Sequence, residues 1–241
     1  MKLNHSKLKS FFIGTLLGDS YICDNIFYCK QISKDLIEFK AKIIKQYLPD
    51  AIVKIKEIPS YIDKNNVHHQ TCYCLSASKS RYIKKLYNYF YVNGRKTYRQ
   101  GMVQKLDPLG FAMWYADDGT TIIVQKGRSR RVQICTDNFS PEEHEMIKND
   151  LINIGINDIK IVDRKRRGQL RIQINGIFRQ TLLISISDYF YNYFPSLLYK
   201  MDLGYRFNQL NSRYVLPEYK SCYLKISAHN EFVDRIRYDI V

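Results

Sequence analysis

The chain has 241 residues, 45% of them hydrophobic and 25% charged, and its 38 Lys and Arg against 23 Asp and Glu give a formal charge of +15. No segment is biased enough to be disordered, and no apolar stretch approaches the ~20 residues that a helix needs to cross a bilayer. Basic residues spread along the whole length point to a polyanionic partner, of which nucleic acid is the commonest.

In chain order, Leu8 to Gly18 reads as a buried helix with Ser6 as its cap. The lysines before Phe11-Phe12-Ile13-Gly14-Thr15-Leu16-Leu17 imitate a signal peptide, but Asp19 follows at once and no small-x-small cleavage site appears. The expected location is therefore cytoplasmic, or an organelle matrix if the gene is organellar. Cys23, Cys29, Cys72, Cys74, Cys135 and Cys222 form no C-x-x-C and have no histidine at zinc spacing, which suits a reducing compartment. Tyr21 to Ile32 predicts two short strands turning at Asp24-Asn25, and Ser33 caps a helix over Lys34 to Tyr47. Ala51 to Ile58 alternates, Val53 and Ile55 one way, Lys54 and Lys56 the other. A strand from Gln70 to Ala77 and a helix to about Tyr91 follow, then a polar link from Asn93 to Asp107.

Asp107-Pro108 opens a second buried helix, because proline suits the first helical turn behind an Asp cap. The order then repeats. Strands are expected over Thr120 to Gln125 and Arg131 to Thr136, and a helix with a capping box over Ser140 to Ile154. A second hairpin, Ile159 to Val162 with Gln169 to Asn175, precedes a helix to about Tyr193. Each half reads helix, two strands, helix, two strands, helix, an internal repeat of α+β class. The expected units are residues 1–100 and 101–201, with 202–241 an extension that packs on the second half by default.

Both buried helices end in carboxylates, at Asp19 and, 99 residues later, at Asp118. A helix C-terminus carries partial negative charge, so an acid there is disfavoured unless a cation accompanies it. Two such tips in matching places suggest a pair of helices holding two carboxylates together for a hard metal such as Mg²⁺. Two such ions side by side can activate water and stabilise the leaving 3′ oxygen in phosphodiester hydrolysis. Lys96 and Lys200 follow the aspartates by 77 and 82 residues (19 to 96, 118 to 200) and can orient water or neutralise phosphate.

The strands also carry a polar face: Arg131 and Gln133 in one, Gln169, Arg171, Gln173 and Asn175 in another, Lys54 and Lys56 in the first half, then His69 or Gln70 with Tyr73. Any solvent face of an amphipathic strand is polar. Four strands sharing Lys, Arg and Gln with almost no acid instead suit a β-ribbon reading the major groove and holding phosphates. Arg164-Lys165-Arg166-Arg167 is a solvated hairpin turn that, on this reading, grips phosphate at the sheet edge.

The two motifs, Phe12 to Ser20 and Phe111 to Gly119, resemble the paired motifs of the LAGLIDADG homing endonucleases in their single-chain form. The resemblance implies a monomer built as a pseudo-twofold pair of αββαββα half-domains, with saddle-shaped antiparallel sheets and the two motif helices at the interface. It implies Asp19 and Asp118 as metal ligands, Gly18 and Asp117 lending backbone carbonyls, and Lys96 and Lys200 as the basic residues near them. It further implies Mg²⁺, replaceable by Mn²⁺ or Ca²⁺, and double-strand cleavage of a long asymmetric DNA site. Ser20 stands where the family has Gly, Leu17 where it often has the first Asp, and Met113 at the usual Gly position. Gly14 is expected to accommodate Met113 and Trp114 across the interface. The alternative function is a non-cleaving intron maturase, with intron RNA as a partner, or a DNA- or RNA-binding regulator. Drift after loss of cutting should often erase one acidic tip, and both are present here.

Overall fold

The structure is a computed structural model and describes residues 5–124, 129–164 and 169–201. Two helices set its centre, α1 (His5–Leu17) and α4 (Pro108–Asp118), each apolar on every side along its C-terminal stretch up to the acidic tip. A helix of that kind is stable only when surrounded by protein or lipid, and Leu109 to Asp117 are all buried, as are Ser10 to Leu17. The helices run parallel. At their N-terminal ends Ser10 Oγ donates to the Asp107 cap carboxylate (2.6 Å) and accepts from Asp107 N (2.8 Å); at their C-terminal ends the Asp117 side chain lies over Gly18.

Their closest approach is backbone to backbone. A Cβ on Gly14 would sit 1.9 Å from the Gly110 carbonyl oxygen, and one on Gly110 would sit 2.3 Å from Ser10 Oγ. The room that Gly14 leaves is taken first by the Gly110 backbone. The nearest partner is Gly110; Met113 and Trp114, one turn further along α4, are fully buried. A long side chain at the crossing would hold the helix axes apart, so the contact forms where both helices lack one.

The first half continues through β1 (Tyr21–Cys23), β2 (Ile26–Gln31), α2 (Lys34–Tyr47), β3 (Ile52–Ile58), β4 (Tyr61–Ile62), β5 (His68–His69), β6 (Cys72–Ser78), α3 (Arg81–Phe90), β7 (Tyr91–Val92) and β8 (Arg95–Lys96), then a 3₁₀ turn at Val103–Lys105. The second follows α4 with β9 (Gly119–Val124), β10 (Ser129–Cys135), α5 (Pro141–Asn153), β11 (Ile159–Arg164), β12 (Gln169–Ile174), α6 (Gly176–Tyr193) and a 3₁₀ segment at Pro195–Met201. The antiparallel sheets have the same order in the two halves, β1-β2-β6-β3 and β9-β10-β12-β11. The α+β class and the matched halves expected from sequence are what the chain adopts.

Local chemistry accounts for the boundaries. Asp24 and Asn25 both take positive φ (50° and 58°), the geometry of the tight β1–β2 turn. Ser33 Oγ accepts from Leu36 N to start α2, Asp107 caps α4 ahead of Pro108, and Ser140 and Glu143 close a reciprocal capping box on α5. Two small strand pairs, β4–β5 and β7–β8, were not expected. The second turns through Asn93-Gly94 (φ 51° and 76°), a strong hairpin dipeptide inside what reads as a linker.

The halves also dock reciprocally, away from α1 and α4. Phe39 of α2 packs on Tyr193 and Phe194, with ring centroids 4.8 and 5.6 Å apart, and Ser196 donates through N and Oγ to Asp35. In the other direction Glu143 and Asp150 of α5 bind the link: Glu143 accepts from Tyr98 N (2.8 Å) and Arg95, and Asp150 from Gly101 N (2.5 Å), Gln104 Nε2 (2.7 Å) and the Tyr98 hydroxyl. Among the described residues no helix is long and apolar enough to cross a membrane. The expected extension, 202–241, lies outside the described residues.

The crossing yields a direct test. Gly14→Ala forces a methyl into the Gly110 backbone and should destabilise the protein by about 1–3 kcal/mol, read by urea denaturation. A variant as stable as wild type would contradict the packing described here.

Candidate metal centre and nucleic-acid interface

Because α1 and α4 are parallel, their C-terminal ends and the acids on them meet. Asp19 is exposed just beyond α1, and Asp118, the last residue of α4, is half-buried and hydrogen-bonded to Asp19. Burial first, then the neighbouring carboxylates of Asp19 and Asp117, push the Asp118 carboxyl up to about 9, and Lys96 only partly opposes them. A carboxyl kept protonated by burial and by neighbouring carboxylates is one that a cation would ionise.

Each tip carries a lysine. Lys96, on β8, donates to Gly18 O (2.9 Å) and Ser20 O (3.2 Å), and Lys200 donates to Ala116 O (2.7 Å) and Asp117 O (3.2 Å). Burial lowers both ammonium groups from the ordinary lysine value, and the aspartates at the tips pull them partly back. The Tyr115 hydroxyl and Thr121 Oγ1 hold the Lys200 carbonyl (2.7 and 2.8 Å). Gly119 is required beneath that tyrosine, since a Cβ there would fall 2.0 Å from its ring.

The donor set is all oxygen: the Asp19 and Asp118 carboxylates, with the Gly18 and Asp117 carbonyls that here accept from lysine. Among the described residues no three His, Cys, Asp or Glu side chains gather into a closed cage. Such a partial set fits Mg²⁺, which binds through one or two carboxylates and completes its shell with water and substrate phosphates; it does not fit zinc.

Two residues at the site escaped the sequence reading. Lys40 of α2 donates to both Asp117 carboxylate oxygens (2.6 and 2.8 Å) and to Cys29 Sγ (3.3 Å), and both members of this ion pair have fully buried side chains. Burial opposes the Lys40 charge, and Asp117 more than restores it, so the ammonium is held above its ordinary value. Gln31, at the end of β2, donates to Asp19 Oδ2 (2.5 Å) and Asp117 Oδ1 (3.3 Å). Lys40 falls in the apolar stripe Leu36, Ile37, Ile43, Ile44, and a lysine in such a stripe signals a buried counter-charge.

The helices α2 and α5 cover one side of each sheet, leaving the other side open. In the first half Lys54 pairs with Ser76 and Lys56 with Cys74 on the open side, where both lysines are exposed. Tyr73 does not join them. It pairs with Glu57 and Gln31, one residue out of phase, and lies on the helix side with Lys34 5.9 Å over its ring. A one-residue offset reverses the face, and the same alternation puts Lys30, exposed, on the open side. Gln70 is exposed but precedes β6, outside the ladder, and His69 stacks on Tyr61 in the β4–β5 pair. Ile55 points to the helix side but remains 42% exposed, because β3 is an edge strand.

In the second half Gln133 pairs with Gln173, and Arg171 with Cys135, on one side. Gln173 is buried: its Oε1 accepts from Arg131 (3.0 Å) and Gln133 (3.2 Å), and its Nε2 donates to Asn175 (2.8 Å). It orients Arg131 and Gln133 instead of presenting a free amide. Gln169 is half-buried, and Arg171 is steadied by Asp137 (3.5 Å). Lys160, exposed and opposite Gln173, adds a cation that the strand reading passed over. Arg166 lies outside the described residues, as does the Arg164 side chain.

The profile of the LAGLIDADG DNA endonuclease family matches residues 9–181. Among solved structures, the homing endonuclease I-WcaI bound to its DNA recognition sequence superposes with a TM-score of 0.68 at 21% identity, over 83% of this chain and 88% of that one. Mesophilic variants of the homing endonuclease I-DmoI match with a TM-score of 0.47 at 18% identity, over 76% and 96%. The meganuclease I-SmaMI bound to uncleavable DNA matches at 0.49 and 11%, over 97% and 92%. Among curated protein sequences there was no match.

The crowded carboxyl has a thermodynamic consequence. A carboxyl raised on folding stabilises the fold fully below its ordinary value of 3.8 and loses that contribution as pH climbs toward about 9. Asn at 118 does not ionise. In chelator, Asp118→Asn should therefore melt above wild type at pH 8.5, and the gap should narrow by pH 5; parallel melting curves across that range would refute the crowding.

Proposed function

The chain belongs to the LAGLIDADG DNA endonuclease family, and from that premise we propose that it is a site-specific homing endonuclease hydrolysing both strands of a long DNA target with a divalent metal. One observation carries the reading: two parallel core helices deliver Asp19 and Asp118 to one point between two sheets whose open sides carry Lys, Arg and Gln. A maturase or regulator would not need two carboxylates brought together where burial and their mutual charge raise one of them toward 9.

Asp19 and Asp118 would hold the metal, with the Gly18 and Asp117 carbonyls available beside them. When bound, Mg²⁺ would supply Lewis acidity to the phosphate and would lower the pKa of a bound water. The protein's own part is positional and electrostatic. Lys96 and Lys200, at the two tips, offset charge that develops on the phosphate oxygens. Lys54 and Lys56 contact phosphates, while Arg131 and Gln133, held by Gln173, meet base edges in the major groove. Mn²⁺ substitutes for Mg²⁺ in this reading, and the protein acts as a monomer because one chain supplies both tips.

Cleavage of a randomised-site DNA library in Mg²⁺ tests the function. Wild type should cut one long sequence, and Asp19→Asn and Asp118→Asn should each abolish double-strand cleavage while still binding it. Tight binding without cutting, in Mg²⁺ or Mn²⁺, would favour the non-cleaving alternative. Cutting that survives both substitutions would place the metal elsewhere.

The interface makes a separate prediction. Replacing Lys54 and Lys56 together by Ala should weaken binding alike across sequences and flatten the log–log salt dependence by about 2, roughly one per lost phosphate contact. A changed target preference with an unchanged salt slope would assign those lysines to base reading.

A further inference from the structure

The two tips are not equivalent, and the difference lies beneath them. Continuing the β1–β2 register from Tyr21↔Tyr28 sets Gly18 beside Gln31, and continuing β9–β10 from Gly119↔Ile134 sets Asp117 beside Thr136. Counting from the caps Ser33 and Ser140 aligns buried Lys40 of α2 with buried Ile147 of α5, flanked by Ile37 with His144 and Ile44 with Leu151. One half thus supplies Gly18, Gln31 and Lys40 where the other supplies Asp117, Thr136 and Ile147.

These differences fit one another. Gly18 has no side chain, and the Asp117 carboxylate takes that room: a Cβ on Gly18 would lie 2.6 Å from Asp117 Cβ. Asp117 thereby leaves its own half, which would offer it Ile147, and enters the half that holds Lys40. A buried carboxylate is tolerated only when paired, and so is a buried ammonium. The pair in turn anchors Gln31, whose amide nitrogen bridges Asp117 and Asp19. Thr136 has no such reach; its hydroxyl is engaged with His144 (2.8 Å) and Leu170 O (3.3 Å).

We propose that Lys40 and Asp117 are positioning residues that act through Gln31 to preorder the Asp19 carboxylate, so that the centre on the first half cuts its strand before the other centre cuts the second. The inference rests on the endonuclease reading above. It predicts a nicked intermediate with one defined strand broken, because a carboxylate already oriented by a fixed donor loses less freedom in the transition state than one without it.

The test follows each strand of the target, separately end-labelled, in single-turnover cleavage. Wild type should cut one strand roughly three- to tenfold faster, the ratio one hydrogen bond of orientation supplies. Gln31→Ala and Lys40→Met should bring the ratio toward one by slowing the faster strand. The double variant Lys40→Ile/Asp117→Gly gives both halves the Gly and Ile arrangement; it should melt closer to wild type than either single variant and also lose the bias. Equal strand rates in wild type, or variants that slow both strands alike, would overturn the proposal while leaving the endonuclease intact. No cutting by wild type would overturn both. The melting cycle reads the buried pair independently of cleavage: additive single effects would refute the coupling.

Discussion

The structure depends on a contact between two glycines. Gly14 and Gly110 let α1 and α4 cross backbone against backbone, and the parallel direction of that crossing brings two helix C-termini to one place. Both ends carry partial negative charge from the peptide dipoles, and three aspartates sit on them. Such a junction is electrostatically unfavourable by construction. It is held shut by apolar burial along the helices and by the Ser10–Asp107 hydrogen bonds at the far end. At the near end, Lys96 and Lys200 donate to the terminal carbonyls of the two helices, so the lysines that serve the proposed chemistry also cap the helices that carry it.

The same economy appears in how the halves are joined. The closing segment of each half docks on the second helix of the other, so neither sheet is a free-standing unit with its own private core. The docking faces differ in chemistry because the docked segments differ. The link between the halves offers backbone N–H groups, and α5 meets them with Glu143 and Asp150. The end of α6 offers Tyr193 and Phe194, and α2 meets them with Phe39; at the positions matching those acids α2 carries Leu36 and Ile43, both buried. Two halves of one order have diverged where their partners diverged.

Much of this was legible in one dimension. Ser33, Asp107 and Ser140 each start a helix where a side-chain oxygen can meet an orphan N–H two or three residues on, and the structure shows those bonds. The acidic tips were legible because carboxylates at the end of an apolar run conflict with the helix dipole, and a conflict that occurs twice is informative. Tyr73 falls on the helix side because a face is decided by parity, and Tyr73 shares its parity with buried Leu75 and Ala77. The β7–β8 hairpin was passed over although Asn93-Gly94 announces it, since the basic residues around it read as linker.

What the sequence by itself determined, then, is whatever acts within a few residues: caps, turns, strand alternation, the two buried helices and the carboxylates that end them. What only the tertiary structure decided is which distant residues share those ends. Gly110 against Gly14, Lys40 beneath Asp117, Gln31 between two aspartates and Gln173 beneath Arg131 join positions 12 to 96 residues apart. The physical reason is range. Capping and turn preferences are short-range properties of neighbouring groups, whereas a buried ion pair or a backbone contact exists only after strand register and helix crossing have brought its members together.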